Sequence, residues 1–348
     1  MNKVSTFPDY VGKKILFLAE TNYQIINCIN MSYHLKSSIC DLYLNKFYDN
    51  TSDIAQIIDS FWIFNLVRTY DNSHNRLVKA FRFVFLKKYI KSLFSNFDYD
   101  VILFASRDPL TRAVITYTKY FNPATLILSY DEGLGSYISN METYTNLFEK
   151  LWVKFRFRDT PSLITDKVLY EPRAYVGKAN NITLYQMPII DEDVLKYVNE
   201  LFNYTENMEI RNKYIYFDDY FDGTDNFKRK IIKKLVEVTN GDLLIKKHPQ
   251  TSDGMYNEGV EYPYSQIPFE VIVANDYNIE DKVLITNMST AVWTPMLLFN
   301  KYPKIIILYP IFENSAVRDI IDKLISFYDE GRIIIVDKIE NLDLIKKD

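Results

Sequence analysis

Three short stretches carry residue types able to move a proton and hold an anion. The first is Asp131-Glu132-Gly133, inside residues 129–137 (SYDEGLGSY). The second is His248-Pro249, inside residues 244–249 (LIKKHP), and the third is Ser289-Thr290, inside residues 284–291 (LITNMSTA). A carboxylate after one strand and a histidine after another suit group transfer, where one group deprotonates an acceptor and the other serves the leaving group. Asp131 or Glu132 would be the base, with Gly133 and Gly135 loosening the loop. The plainer reading is a turn after a strand, for which Asp and Gly are ordinary choices. The chain has three histidines, and two of them, His34 and His74, fall in predicted helices. His248 precedes a proline, which ends its strand and keeps it extended. Lys246 and Lys247, if close, would favour the neutral imidazole, and they could also attract a phosphate.

Residues 284–291 read as strand, tight turn and helix. Asn287 or Ser289 would be the N-cap, and a helix start with free N–H groups and adjacent hydroxyls suits a phosphate. Glu270, just before an apolar segment, could accept both hydroxyls of a ribose; as a helix-start acid it would be unremarked. Other acids read as structural. Asp191-Glu192-Asp193 matches a metal-binding Asp-x-Asp pattern but precedes a helix, so capping is expected. Asp218, Asp219 and Asp222 follow a strand and could line the cleft, but a loop of solvated acids is the expected reading. No Gly-rich phosphate loop, no Gly-x-Gly-x-x-Gly and no zinc-spaced Cys/His cluster is present.

Positioning these residues requires alternating strands and helices. Strands are expected over 13–19, 39–44, 100–105 and 125–128, with helices over 21–35, 53–64, 75–94 and 110–120. Residues 141–208 read as irregular, with β-like pieces. Alternation resumes with strands over 213–217, 242–245, 271–274, 282–286, 304–308 and 332–336, and helices over 226–239, 289–300 and 316–328. This pattern implies parallel sheets covered on both faces, which bind ligands at the carboxyl ends of their strands. Two domains follow: residues 1–205 and residues 206–348. The site would lie in a cleft between them.

The 348 residues are 48% hydrophobic with a net charge of −4, which supports sizeable cores and argues against a nucleic-acid binder. Two cysteines, Cys28 and Cys40, make no disulfide framework and fit a reducing cytosol. No signal peptide or membrane span is expected, because residues 1–12 are polar and the run over 15–19 is short. The abundance of Tyr and Phe beside only 9 Gly points to AT-rich coding DNA and a low-GC bacterium. Arg76, Lys79, Arg82, Lys87, Lys88 and Lys91 interleave with Phe81, Phe83, Phe85, Leu86, Tyr89 and Ile90. With residues 151–158 (LWVKFRFR) they form a candidate surface for an anionic membrane or an acidic glycan. A solvated helix with a buried aromatic face is the plainer reading.

In combination and in order, the three motifs resemble those of bacterial sialyltransferases, which carry an acidic-acidic-Gly, then a His-Pro, then a Ser-Ser/Thr motif. Residues 15–19 followed by Thr21-Asn22-Tyr23-Gln24-Ile25 resemble the Thr-Pro-Tyr-Gln start of glycosyltransferase family 52, with Asn22 in place of proline. The resemblance implies an α/β fold of two Rossmann-like domains facing across a cleft, the GT-B layout. It implies inverting transfer of sialic acid from CMP-sialic acid to a glycan hydroxyl, with the acceptor on residues 1–205 and the nucleotide sugar on residues 206–348. In a low-GC bacterium a cytoplasmic enzyme of this kind would serve capsule or surface polysaccharide synthesis, and the basic-aromatic segments offer it peripheral contact with the inner face of the membrane. Asp131, or Glu132, would be the base and His248 the partner of the departing phosphate. Ser289 and Thr290 would hold that phosphate and Glu270 the ribose, with Gly133, Lys247, Pro249 and Asn287 completing the donor set. No cofactor and no metal is implied, since a histidine, hydroxyls and a helix start can stabilise a leaving monophosphate. Rival readings are the same fold with CMP-Kdo or a UDP-hexose, a non-catalytic glycan- or nucleotide-binding subunit, and a sugar-nucleotide hydrolase or epimerase.

Overall fold

The computed structural model describes residues 2–46, 48–71, 76–106, 108–138, 151, 154–155, 165–177, 181–219, 225–248, 251, 256, 259–264, 267–308, 318–328 and 331–346. His74, Asp222, Pro249 and most of residues 151–158 lie outside these. The chain divides into two compact units, Met1–Pro188 and Ile189–Asp348.

The first unit holds β1 (Lys3–Thr6), β2 (Lys14–Ala19), α1 (Asn22–His34), β3 (Ile39–Asn45), α2 (Thr51–Ser60), β4 (Leu66–Tyr70), α3 (Arg76–Val84) and α4 (Leu86–Leu93). It continues with β5 (Val101–Phe104), α5 (Pro109–Phe121), β6 (Leu126–Tyr130), α6 (Gly135–Ile138), β7 (Asp166–Leu169) and β8 (Thr183–Gln186). The strands form one parallel sheet in the order β1-β8-β7-β6-β5-β2-β3-β4. The central strands β2, from Ile15 onward, and β5 are apolar and buried, as a sheet covered on both faces requires. The starts of α1 and α5 are capped by side chains. Thr21 caps α1 by accepting from the Gln24 N–H, and Asp108 caps α5, whose first residue is Pro109. β1 and β4, not anticipated from sequence, are edge strands with mixed exposure, so their apolar signal is weak. The expected helix over 75–94 is two helices separated at Phe85.

The second unit holds α7 (Glu192–Leu201), β9 (Tyr214–Phe217), α8 (Asp225–Val238), β10 (Leu243–Lys246), β11 (Val260–Glu261) and α9 (Phe269–Asn275). Then come β12 (Val283–Thr286), α10 (Thr294–Phe299), β13 (Lys304–Ile307), α11 (Arg318–Ile325) and β14 (Ile333–Ile335). Its parallel sheet runs β11-β10-β9-β12-β13-β14. Residues 271–274, expected as a strand, lie in α9. The run is buried on every side, so it lacks the one-sided pattern that separates a helix from a short apolar strand.

The unit boundary falls earlier than the expected 205/206. Asp191 caps α7 by accepting from the Val194 N–H, as its sequence suggested. That helix then packs in the second unit, where Asn199 and Asn275 exchange amide hydrogen bonds of 2.9 and 2.7 Å. The Ile190 N–H also donates to the Leu298 carbonyl at 3.1 Å.

Candidate functional site

Each sheet has one point where successive crossovers leave in opposite directions. In the first it lies between β2 and β5, in the second between β9 and β12. Crevices at the carboxyl ends of such strands are where open α/β sheets bind ligands.

In the first unit, β6 delivers Asp131 into the interior, where it is fully buried. Its Oδ1 accepts the Gly133 N–H at 2.8 Å. Its Oδ2 accepts the Tyr137 hydroxyl at 2.6 Å and the Tyr170 N–H at 3.3 Å. Burial pushes this carboxyl up to about 6, against the pull of those three donors. Gly133 has φ 112°, a conformation that suits glycine, so the turn chemistry expected here is present. Asp131 thus fastens the turn. Its neighbour Glu132 is exposed. The Glu132 N–H donates to the Ser136 hydroxyl at 2.9 Å, and its Oε2 accepts Gln24 Nε2 at 3.3 Å.

Gln24 connects this turn to the crossover point. Its Oε1 accepts the Glu20 N–H, at the end of β2, at 2.8 Å. The Glu20 carboxylate accepts Asn45 Nδ2 at 2.9 Å and the Ser106 hydroxyl, which follows β5. Burial raises the Glu20 carboxyl above the ordinary range. Glu20 and Gln24 were not singled out from sequence as site residues, although Gln24 lies in the stretch that resembles family 52.

In the second unit the acids after β9 are not a solvated loop. Asp218 and Asp219 are both buried. Asp218 pairs with the buried Lys228 at 3.2 Å and accepts the Thr251 hydroxyl. Asp219 Oδ2 accepts the Thr286 hydroxyl at 3.2 Å and the Met288 N–H at 2.9 Å. Burial pushes the Asp219 carboxyl up to about 6. Asp219 therefore ties the end of β9 to the turn after β12. Sequence reading missed this because the acids flank a loop; their position directly after a buried strand was the available signal.

That turn carries Asn287, Ser289 and Thr290. Ser289 caps a single 3-10 turn, Thr290–Val292, its Oγ accepting the Ala291 N–H at 3.4 Å. The Ser289 N–H donates to Thr286 Oγ1 at 2.9 Å. The expected helix start with free N–H groups is thus replaced by a short turn whose Met288, Ser289 and Ala291 N–H groups are engaged. Asn287 differs from its neighbours. It is 1% exposed, and neither its Oδ1 nor its Nδ2 has a hydrogen-bond partner among the described residues. An unmatched buried polar group costs about 1–3 kcal/mol, so a buried amide with both ends unmatched has bonding capacity for an ordered water or a ligand.

His248 follows β10, the neighbour of β9 in the sheet, and is half-buried. Burial pulls its imidazole below the ordinary value; the Asp218 charge raises it, and the Lys228 and Lys246 charges lower it. Lys247 is drawn to Glu261 at 3.0 Å. Lys246 sits 5.7 Å from the Tyr262 ring centre. Glu270, in the first turn of α9, has its carboxyl raised by burial, opposed by its own N–H and the Lys246 charge. The Glu270 charge acts in turn on the Tyr262 hydroxyl, a buried group with no hydrogen-bond partner among the described residues. Tyr262 joins the candidate site from the structure alone. Among the described residues no group of three His, Cys, Asp or Glu side chains converges to hold a metal.

No protein-family model matches this chain, and no curated protein matches it. Solved structures share its fold. The glycotransferase of kitacinnamycin is 9% identical, with 97% of this chain and 91% of that one covered and a TM-score of 0.56. UGT89C1 of Arabidopsis thaliana, complexed with UDP, is 10% identical, with 97% and 90% covered and a TM-score of 0.55. A UDP-N-acetylglucosamine 2-epimerase is 14% identical, with 97% and 86% covered and a TM-score of 0.53. At such identities the likeness is one of fold: two successive Rossmann-like α/β units of the GT-B type. Transferases and an epimerase share it, so the reaction has to be argued from the residues.

Proposed function

We propose that this protein is an inverting glycosyltransferase that uses a nucleotide-sugar donor, with CMP-sialic acid as the favoured donor and a glycan hydroxyl as acceptor. The observation that carries the ligand reading is the unmatched, buried Asn287 amide at the crossover point of the second sheet, beside Ser289 and Thr290. His248, on a neighbouring strand end, gives the donor phosphate a nitrogen partner. Glu270 and the Tyr262 hydroxyl are suited to the ribose and base. The ordered resemblance of Asp131-Glu132-Gly133, His248 and Ser289-Thr290 to sialyltransferase motifs favours a CMP donor over a UDP donor.

In this reading Glu132 takes the acceptor proton, because its carboxylate is exposed while that of Asp131 is sealed behind three donors. Gln24 and Asp131 position it. The acceptor oxygen attacks the anomeric carbon as the bond to the CMP phosphate breaks, with oxocarbenium character at the transition state. His248 donates a hydrogen bond or proton to the departing phosphate oxygen. The raised Asp219 carboxyl holds the turn that carries Asn287. Cytoplasmic capsule or surface polysaccharide synthesis is the setting we favour.

The test is incubation of the protein with CMP-sialic acid and with UDP-hexoses, with and without a panel of neutral and sialylated glycans, reading CMP or UDP release and product mass. Acceptor-dependent CMP release with a sialylated product supports the reading. Release that needs no acceptor points to a hydrolase or epimerase, and acceptor-dependent UDP release keeps the transferase but replaces the donor.

A further inference from the structure

We propose that the face built by α3, α4 and the end of α5 docks on an anionic phospholipid bilayer. This inference is independent of the donor and the reaction.

The segment 76–93 contains Arg76, Lys79, Arg82, Lys87, Lys88 and Lys91 and no Asp or Glu, in a chain whose acids outnumber its Lys and Arg by 45 to 41. Its two short helices do not bury all their apolar residues. Leu77 is 79% exposed, Phe81 58% and Phe85 48%. Phe81 and Phe85 lie with ring centres 4.5 Å apart. A groove of about 560 Å³ runs between α4 and the end of α5, floored by Phe83, Phe85, Leu86 and Phe121 and edged by Lys87, Lys88 and Lys91. These three lysines are exposed, and Lys87 Nζ is 5.8 Å from the Phe121 ring centre.

Exposed Phe and Leu with lysines beside them match the interfacial zone of an anionic membrane. The rings enter the headgroup–acyl boundary while the lysine stems lie along apolar surface and their ammonium groups reach phosphate. Other occupants fit less well. A second copy would bring Lys87, Lys88 and Lys91 against the same three lysines across a two-fold axis. A soluble polyanion would meet the lysines but leave Leu77, Phe81 and Phe85 in water.

Flotation of the full chain with vesicles tests this, using phosphatidylcholine alone against phosphatidylcholine mixed equally with phosphatidylglycerol. The protein is expected to float with the anionic vesicles only and to be released by high salt. Replacing Lys87, Lys88 and Lys91 together by Gln should lower partitioning on the order of 10²-fold. Phe81→Ser with Phe85→Ser should also lower it, with the circular dichroism spectrum retained. Lys230→Gln with Lys233→Gln, exposed charges on α8, should leave it nearly unchanged. No flotation, equal flotation with neutral vesicles, unchanged partitioning of the triple lysine variant, or equal loss in the α8 variant overturns the proposal. Binding to soluble polyglutamate in place of vesicles does so as well.

Discussion

Asp131 and Glu132 are adjacent in sequence and opposite in environment, and the proposed mechanism divides their roles on this difference. Glu132→Gln should lower turnover on the order of 10²–10⁴-fold and leave the melting temperature nearly unchanged, since an exposed carboxylate stabilises little. Asp131→Asn sets an amide N–H₂ against one of three donors and should cost about 1–3 kcal/mol of stability, read by urea unfolding. Turnover intact in the Glu132 variant, with loss confined to Asp131→Asn in a fully folded protein, would return the base role to Asp131. His248 yields a second prediction. Its imidazole lies below the ordinary value in the free protein, mainly through burial. A bound phosphate would raise it, so CMP binding should take up a proton near the ordinary histidine value of about 6.5. CMP affinity should then rise as pH falls through that region. Calorimetry in buffers of different ionisation enthalpy reads the uptake, and His248→Ala should abolish it.

Asp219 acts at the scale of elements, since it holds the end of β9 to the turn after β12. Its carboxyl titrates at about 6 when folded, against about 3.9 in an unfolded chain. The folded state therefore binds the extra proton between these values, and its stability falls as pH rises through that window. The contribution of this group amounts to on the order of 3 kcal/mol. Asp219→Asn should lose that component, so the stability margin of wild type over variant should be larger at pH 4.5 than at pH 7. An equal margin at both would show that Asp219 does not titrate as argued.

Elements also show what was legible in the sequence. Central strands such as β2 and β12 announce themselves as short apolar runs, and Thr21 and Asp108 mark their helix starts by type alone. Residues 271–274 do not, because a helix buried on all sides and a buried strand give the same run. Residues 75–94 read as one helix because the apolar spacing continues through the break at Phe85. At the site, His248 and Ser289 were legible as residue types at strand ends. The buried pairing of Asp218 with Lys228, the reach of Gln24 to Glu132 and the unmatched Asn287 amide depend on contacts between segments distant in sequence.

The whole chain is two parallel α/β units, and α7 belongs to the second. A fragment of residues 189–348 should unfold cooperatively in urea. A fragment of residues 206–348, which lacks α7, leaves Asn275 without its amide partner and exposes the α9 face, and should bind hydrophobic dye and aggregate. Equal behaviour of the two fragments would put α7 outside the second unit's core.

We propose a nucleotide-sugar site in the second unit, organised around Asn287 and built for CMP. It is tested most directly by calorimetric titration of the full chain with CMP, CDP, UMP and UDP in the presence of EDTA. CMP should bind in preference to the others, and Asn287→Ala, and Ser289→Ala with Thr290→Ala, should each lose at least tenfold in affinity, the size of one buried hydrogen bond. Preference for UDP, binding that returns only with added metal, or CMP affinity unchanged in the Asn287 variant would contradict it.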